Sequence, residues 1–174
     1  MKNQIFILII IFLGLFQSIY GQDKNFQIGL RGSFVPEGSE LSSSYTIILG
    51  IEGKYFFKDN SKFKYYGTTG FSKDLDGTAA SITLIDLGIG VQYNLFKIKD
   101  RPFYATLNAG GLYIHEEFSV QLIERVTQST FNKFGYTANL GVGYYIFNNI
   151  NVQFNINRLN DLYTTLRLSL YYNF

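Results

Sequence analysis

The sequence predicts an all-β protein, a single eight-stranded antiparallel up-and-down barrel. Three observations lead to this prediction. Apolar and polar residues alternate with a period of two from Phe26 onward, as in strands with two different faces. The alternating segments are joined by connections that are short at one end and mostly long at the other. After the N-terminal segment, no stretch shows a sustained helical apolar period or an apolar run of spanning length.

The first 21 residues have the pattern of a secretory signal peptide. Met1–Gln4 carries one positive charge, an apolar run follows at 5–16, and the small residue Gly21 is placed for cleavage. The run is shorter than the ~20 residues that a spanning helix needs, and it matches the apolar region of a signal peptide. We expect residues 1–21 to be the signal peptide and 22–174 to form the barrel domain. An N-terminal anchor helix is the alternative.

Four segments show the alternation most clearly. In the first of them, Ile85 and Leu87 lie on one face, whereas Asp86 and Gly88 lie on the other. These segments predict strands at 85–95, 134–146, 150–156 and 164–174. Weaker alternation predicts four more strands at about 25–34, 44–56, 62–72 and 102–114.

The lengths of the connections predict which rim of the barrel faces the periplasm. Short connections are expected at 57–61, 96–101 and 147–149, and longer ones at 35–43, 73–80 and 115–133. Only the connection near 158–161 is short on the second side. Short turns on one rim and longer loops on the other are typical of outer-membrane barrels. An even strand number places both mature termini at the short-turn rim, in the periplasm.

The two faces of the strands differ in volume, which predicts the face that points outward. One face carries Leu, Ile, Val, Phe and Tyr, and the other is rich in Gly, Asn, Thr, Ser and Gln. The interior of an eight-stranded barrel is just wide enough for its side chains, so the bulky face would overfill it. The apolar face should therefore meet lipid, in a transmembrane barrel rather than a soluble lipocalin-type one. Aromatic residues near both rims agree with two interfacial girdles.

Composition excludes several classes of function. The chain has no Cys, which excludes a disulfide scaffold, a thiolate zinc site and a Cys nucleophile. A net charge of +2 gives no basic excess for binding nucleic acid, and no cofactor is implied.

The segment from Gln22 to Phe174 resembles small bacterial outer-membrane β-barrels of the OmpA/OmpX type. More closely, it resembles the PorT-like "outer membrane protein beta-barrel domain" family. The resemblance rests on the signal peptide, the eight alternating segments and the terminal residues Tyr171-Tyr172-Asn173-Phe174. It implies an outer-membrane location, and it implies that Tyr172 and Phe174 belong to a signal read by the barrel-assembly machinery. It leaves the activity open, because such barrels include adhesins, structural proteins, enzymes and secretion components, type 9 secretion among them.

Charged residues on the predicted inward face indicate a lumenal cluster. These are Arg31, Glu52, Lys54, Asp86 and Arg167. Because unpaired charge in a narrow lumen is costly, we predict an ion-pair network of Arg31, Glu52, Asp86 and Arg167 that plugs the barrel. A selective pore lined by the same charges is the alternative.

Two other motifs contain residue types that could support catalysis or metal binding. His115, the only histidine, precedes Glu116, Glu117 and Ser119, and a base, an acid and a hydroxyl could form a nucleophilic site. A polar residue at the rim is the simpler interpretation, because no local motif matches the lipid-modifying enzymes. The segment Asp74-Leu75-Asp76-Gly77 has a fragment of calcium-loop spacing without the remaining ligands, so we expect a turn.

The sequence therefore predicts a small integral outer-membrane barrel without enzymatic activity. We expect a structural or binding role through the extracellular loops or an envelope partner, with outer-membrane lipid around the barrel. The alternatives are a narrow diffusion channel and a lipid-modifying enzyme. The longest connection, 115–133, carries apolar residues that could cover the barrel mouth, extend the sheet or meet a partner.

Overall fold

The computed structural model describes residues 25–36, 47–59, 62–74, 80–122, 125–160 and 163–174. Eight antiparallel strands follow one another around a closed barrel, and β8 returns to pair with β1. The strands are β1 Phe26–Phe34, β2 Ile47–Asp59, β3 Phe63–Asp74, β4 Ala80–Ile98, β5 Arg101–Leu122, β6 Arg125–Phe147, β7 Ile150–Leu159 and β8 Tyr163–Asn173. The predicted eight-stranded barrel is confirmed. The predicted signal peptide, 1–21, lies outside the described residues.

The outer wall of the barrel is an apolar belt between two bands of aromatic residues. On β4, Leu87 and Ile89 are each 70% exposed, whereas Asp86 beside them is buried. On the outward face of β5, the stretch from Phe103 to Tyr113 matches the roughly 9–11 residues that a tilted strand needs to cross a bilayer. Among the described residues, no helix is long and apolar enough to cross a membrane.

Most of the connection predicted at 115–133 is a β-hairpin, so the strand bounds predicted there are wrong and the alternative that this segment extends the sheet is confirmed. Strands β5 and β6 remain paired from Phe103 and Tyr144 up to Leu122 and Arg125. The strand predictions ended at 114 and resumed at 134 because regular apolar alternation stops between these positions, although Glu116 is still buried. Between Thr130 and Phe134 every residue of β6 is exposed, so no apolar alternation marks the strand.

Bulges near the short turns explain why strands extend further than predicted. The register shifts between Phe56 and Lys58, between Asn94 and Phe96, and between Tyr145 and Phe147. Each bulge inserts one residue and reverses the alternation beyond it, so the sequence pattern appeared to end. The consequence is that Phe96 and Phe147 point outward at the short-turn rim, where Phe57, the extra residue of its own bulge, is also exposed.

The lumen holds large side chains as well as the small polar ones that were predicted. Three tyrosines are almost fully buried inside it, and each lies opposite a glycine of the neighbouring strand. The pairs are Tyr66 with Gly90, Tyr104 with Gly143, and Tyr171 with Gly29. A Cβ atom at any of the three glycines would overlap the facing ring. Glycine thus provides the room that a bulky ring needs in so narrow a barrel.

Candidate functional site

Arg31 of β1 lies at the centre of the lumenal polar residues. Its Nε donates a hydrogen bond to Ser72 Oγ at 2.6 Å, and its Nη1 donates to Asp86 Oδ1 at 3.1 Å. A second bond joins Nη2 to Asp86 Oδ2, and Nη1 lies 3.5 Å from Glu52 Oε2. The side chain reaches these partners because Gly70 leaves space: a Cβ there would overlap the guanidinium. Arg31 and its partners Ser72, Asp86 and Glu52 are all buried.

Glu52 of β2 links Arg167 and Lys54 to the Arg31–Asp86 pair. Its Oε2 lies 3.6 Å from Arg167 Nη1, and its Oε1 lies 3.9 Å from Lys54 Nζ. The Tyr171 hydroxyl donates to Oε1 at 2.8 Å. Lys54 Nζ also lies 3.8 Å from the centre of the Tyr171 ring, in cation–π geometry. The carboxylate therefore contacts three cations and one phenol.

The structure brings all four predicted lumenal residues into one cluster, contributed by β1, β2, β4 and β8. We call Arg31, Glu52, Lys54, Asp86 and Arg167 the lumenal charge cluster. Sequence reasoning placed all five on the inward face, but it did not anticipate Ser72 and Tyr171 as partners. The alternation of residues along β3 and β8 places both side chains on the inward face, and this was the sequence signal that could have found them. The cluster contains three cations and two carboxylates.

A layer of amides and tyrosines lies on the short-turn side of the charge cluster. The Tyr104 hydroxyl donates to Asn151 Oδ1 at 2.5 Å, and Asn151 Nδ2 donates to Asn173 Oδ1 at 3.2 Å. Gln153 Nε2 donates to Thr106 Oγ1 at 2.8 Å, and its Oε1 accepts from Lys54 Nζ at 2.5 Å. Hydrogen bonds between strands thus satisfy these buried groups.

An apolar cluster fills the lumen on the hairpin side of the charges. Its members are Val35, Ile48, Ile82, Leu84, Leu112, Ile114 and Leu159, each at most 3% exposed. The prediction of a mainly polar interior did not include this apolar cluster. The signal was present in β4 and β5, where consecutive residues such as Leu84 and Ile85 are apolar on both faces. Such a run indicates that both faces are shielded from water.

His115 lies on the outward face of β5, two residues beyond Tyr113 and outside the apolar belt. Its Nδ1 is 2.6 Å from Asn132 Oδ1, and its Nε2 is 3.1 Å from Glu117 Oε1. Hydrogen bonds to Asn132 and then to Glu117 raise the pKa of His115, because both acceptors favour the protonated ring. Lys73 of β3 opposes this shift.

The structure separates the other residues considered for catalysis or metal binding. Glu116 points to the opposite face of β5 from His115 and lies 3.8 Å from Lys133 Nζ. The side chain of Ser119 lies outside the described residues. Asp74 Oδ1 accepts the backbone N–H of Ile82 at 2.8 Å, and residues 75–77 of the calcium-like fragment are also outside the described part of the chain.

The C-terminal residues close the barrel at the short-turn rim. The backbone N–H of Phe174 donates to the carbonyl of Phe26 at 3.0 Å, across the seam between β8 and β1. The Phe174 ring lies 4.9 Å from that of Tyr172 and 6.2 Å from that of Phe26, measured between centroids. Tyr172 is outward and 45% exposed.

Comparisons with known proteins support the fold. Neither protein-family models nor curated proteins give a match. The N-terminal β-barrel domain of Pseudomonas aeruginosa OprF is similar at a TM-score of 0.63 and 14% identity, over 87% of this chain and 98% of that chain. Ail, the attachment invasion locus protein of Yersinia pestis, gives 0.55 and 16% over 86% and 97%. Neisserial surface protein A gives 0.53 and 15% over 88% and 99%.

These likenesses establish a shared fold, that of small outer-membrane barrels. The apolar belt and the closed sheet are properties of this chain itself, and they require a lipid environment. The protein is an integral outer-membrane β-barrel, and the predicted location is confirmed.

Proposed function

We propose that this protein is a sealed, non-enzymatic barrel that acts through the surface it presents outside the membrane, in a structural or binding role with an envelope partner. The filled lumen is the observation that carries the proposal. The side chain of Arg31 has no exposed surface, and those of Glu52 and Arg167 are 7% and 6% exposed. A conducting pore would need a continuous path of water past these groups.

Opening such a lumen carries a large free-energy cost. Water would have to displace the apolar cluster on one side and the bonded amides on the other. Moving Arg31 away from Asp86 would also leave two charges without partners, which costs several kcal/mol in a low dielectric. The structural reading of the charge cluster is therefore favoured over a pore.

The β5–β6 hairpin is the part of the barrel best suited to contact a partner. These strands have 22 and 23 residues, against 9 in β1 and 10 in β7. At about 3.4 Å per residue, the segment from His115 to Leu122 adds roughly 25 Å of strand beyond the girdle. It thus extends a two-stranded sheet outside the membrane.

Single-channel conductance in a planar bilayer tests the sealed lumen. The refolded barrel, verified by its gel shift between unheated and boiled samples, should give no discrete steps. Glu52→Gln alters the charge cluster, and Glu117→Gln makes the same chemical change on the exposed hairpin as a control. Steps in the wild type whose ion selectivity changes with Glu52→Gln but not with Glu117→Gln would establish a diffusion channel and refute the proposal.

The non-enzymatic part of the proposal is tested on lipid. His115 is engaged by Asn132 and Glu117, and its neighbour Glu116 faces the other way, so the described residues form no triad around it. Incubation with lipid A should leave the mass of the lipid unchanged. Loss or transfer of an acyl chain by the wild type, abolished in His115→Ala, would identify an enzyme instead.

We also infer that β8 carries the segment read by the barrel-assembly machinery, and that the chain belongs with the PorT-like barrels. The outward Tyr172 and the terminal Phe174 at the barrel seam support the first inference. The second rests on the resemblance in sequence organisation.

A further inference from the structure

From β3 to β6, the polar boundary of the lipid-facing surface follows one register row of the sheet. On the outward face, Lys73 of β3 lies opposite Thr83, Thr83 lies opposite His115, and His115 lies opposite Asn132 of β6. We call these four residues the boundary row. The row directly below it consists of Phe71, Ile85, Tyr113 and Phe134. The wall therefore changes from aromatic and apolar to polar over one step of the alternation.

Lys73, Thr83 and Asn132 offer hydrogen-bond donors to the outside, whereas both ring nitrogens of His115 are engaged by Asn132 and Glu117, so His115 contributes its charge. Lys73 and Asn132 are exposed, and Thr83 is half-buried. The Asn132 Oδ1 atom accepts from both the Tyr113 hydroxyl, at 2.8 Å, and His115 Nδ1, at 2.6 Å. These two bonds fix the orientation of the amide, so its NH₂ group is directed away from the ring.

The spacing of the row suits a tetrahedral anion. Neighbouring strands lie about 4.8 Å apart, so Lys73 and His115 flank Thr83 at about that distance on either side. An anion centred over the Thr83 hydroxyl would accept a hydrogen bond from the Lys73 ammonium on one side and lie about 5 Å from the charge of the protonated His115 ring on the other. Charge-assisted hydrogen bonds of this kind are the usual means by which proteins hold phosphate.

We propose that Lys73, Thr83, His115 and Asn132 bind the phosphate group of an outer-leaflet lipid headgroup. The depth of the row commits the site to a lipid, because acyl chains below the phosphate would lie against the apolar row of Phe71, Ile85, Tyr113 and Phe134. The proposal rests on the membrane placement of the barrel and does not depend on whether the lumen is sealed.

The charge of the site depends on pH. The charged groups around His115 are Lys73 on β3 and Glu117 on β5, while Glu116 and Lys133 pair on the other face of the hairpin. Lys73 and Glu117 cancel, so the site carries a net positive charge when His115 is protonated. Binding should therefore strengthen as the pH falls through the raised pKa of His115.

Lipid nanodiscs of matched composition test the site. The wild-type barrel is placed in phosphatidylcholine nanodiscs that contain either lipid A or the same lipid with its phosphates removed, and the His115 ring is followed by NMR. We expect lipid A, and not its dephosphorylated form, to shift the His115 resonances and to raise the pH at which the ring titrates. Identical behaviour in the two lipids would overturn the proposal.

Variants at the exposed row report the affinity. Lys73→Gln should weaken lipid A binding about fivefold, the effect expected for one lysine near a charged membrane surface. Lys97→Gln makes the same change at the opposite rim and should have no effect. His115→Ala should abolish the pH dependence. Equal losses in Lys73→Gln and Lys97→Gln would show general attraction to anionic lipid and refute the site.

Inorganic phosphate separates the two possible sources of the anion. In neutral maltoside micelles, millimolar phosphate should leave the His115 resonances unchanged, because the acyl-chain contacts are missing. A shift as large as that caused by lipid A would show a site for soluble anions and would overturn the lipid assignment.

Discussion

Arg31 and Asp86 meet across the lumen from strands that are not neighbours in the barrel. Two guanidinium nitrogens of Arg31 donate to the two carboxylate oxygens of Asp86, with 3.1 Å between Nη1 and Oδ1. Strands β2 and β3 lie between β1 and β4 on the wall, so the pair bridges the interior. It joins two parts of the sheet that no backbone hydrogen bond connects.

Loss of the Asp86 charge should destabilise the barrel strongly. Asp86→Asn leaves the buried guanidinium of Arg31 without its main partner, and breaking a buried pair costs about 3–5 kcal/mol. Urea unfolding in lipid vesicles, followed by tyrosine fluorescence or gel shift, measures the change. Glu117→Gln, at an exposed carboxylate, should change the stability little. Equal midpoints for wild type and Asp86→Asn would show that the bridge does not stabilise the fold.

The glycines facing the lumenal tyrosines should not tolerate a methyl group. In Gly143→Ala the new Cβ would overlap the Tyr104 ring, and such overpacking costs about 1–3 kcal/mol. Gly111→Ala is the matched control, because a Cβ there would have no atom within 4 Å. It should be neutral, or stabilising by about 0.5–1 kcal/mol, since glycine weakens a strand interior. Equal losses in the two variants would contradict the role of the ring.

The two residues of the tight turn between β4 and β5 are unfavourable for the backbone conformation that the turn requires. Lys99 and Asp100 have φ angles of 50° and 64°, as a two-residue primed hairpin turn requires. Residues with a Cβ atom adopt these positive φ angles at a conformational cost. The cost is lowest for the pair Asn-Gly. Lys99→Asn combined with Asp100→Gly should raise the free energy of unfolding by about 1 kcal/mol. A lower urea midpoint for the double variant would mean that these side chains contribute contacts of their own.

Removal of Phe174 should impair assembly in cells more than stability in vitro. Its ring packs on Tyr172 and Phe26 at an exposed rim, where little is lost on deletion. In cells, the fraction of heat-modifiable barrel in the outer membrane should fall, because the proposed assembly signal ends at this residue. Unchanged assembly of the truncated chain would argue against that signal.

The titration of His115 should depend on Asn132. The hydrogen bonds to Asn132 and Glu117 raise the pKa of His115, so the protonated ring stabilises the folded hairpin. This contribution is complete below the ordinary histidine pKa, and it is lost as the pH rises through the raised value. Asn132→Ala should return the NMR titration midpoint of the ring toward about 6.5. An unchanged midpoint would assign the shift to other groups.

The sequence predicted the features that follow from alternation and missed those that interrupt it. Asp86 could be assigned to the lumen because Leu87 beside it had to face outward. Phe96 could not be assigned, since the bulge after Asn94 changes the phase without a sequence mark. The paired region beyond His115 was not assigned to strands because alternation stops there, as in the exposed stretch from Thr130 to Phe134 on β6. The partners of Arg31 depend on side-chain reach across the lumen, and only its inward direction was available from parity.

The three tyrosine–glycine pairs limit how this sequence can vary. Gly29, Gly90 and Gly143 each occupy the space that a ring on the next strand leaves at the backbone. A mutation that enlarges one of these glycines is tolerated only where the facing tyrosine has already become smaller. In an alignment of relatives, positions 29 and 171, 66 and 90, and 104 and 143 should therefore covary, and that signal would report strand register in barrels for which sequence identity is too low to align.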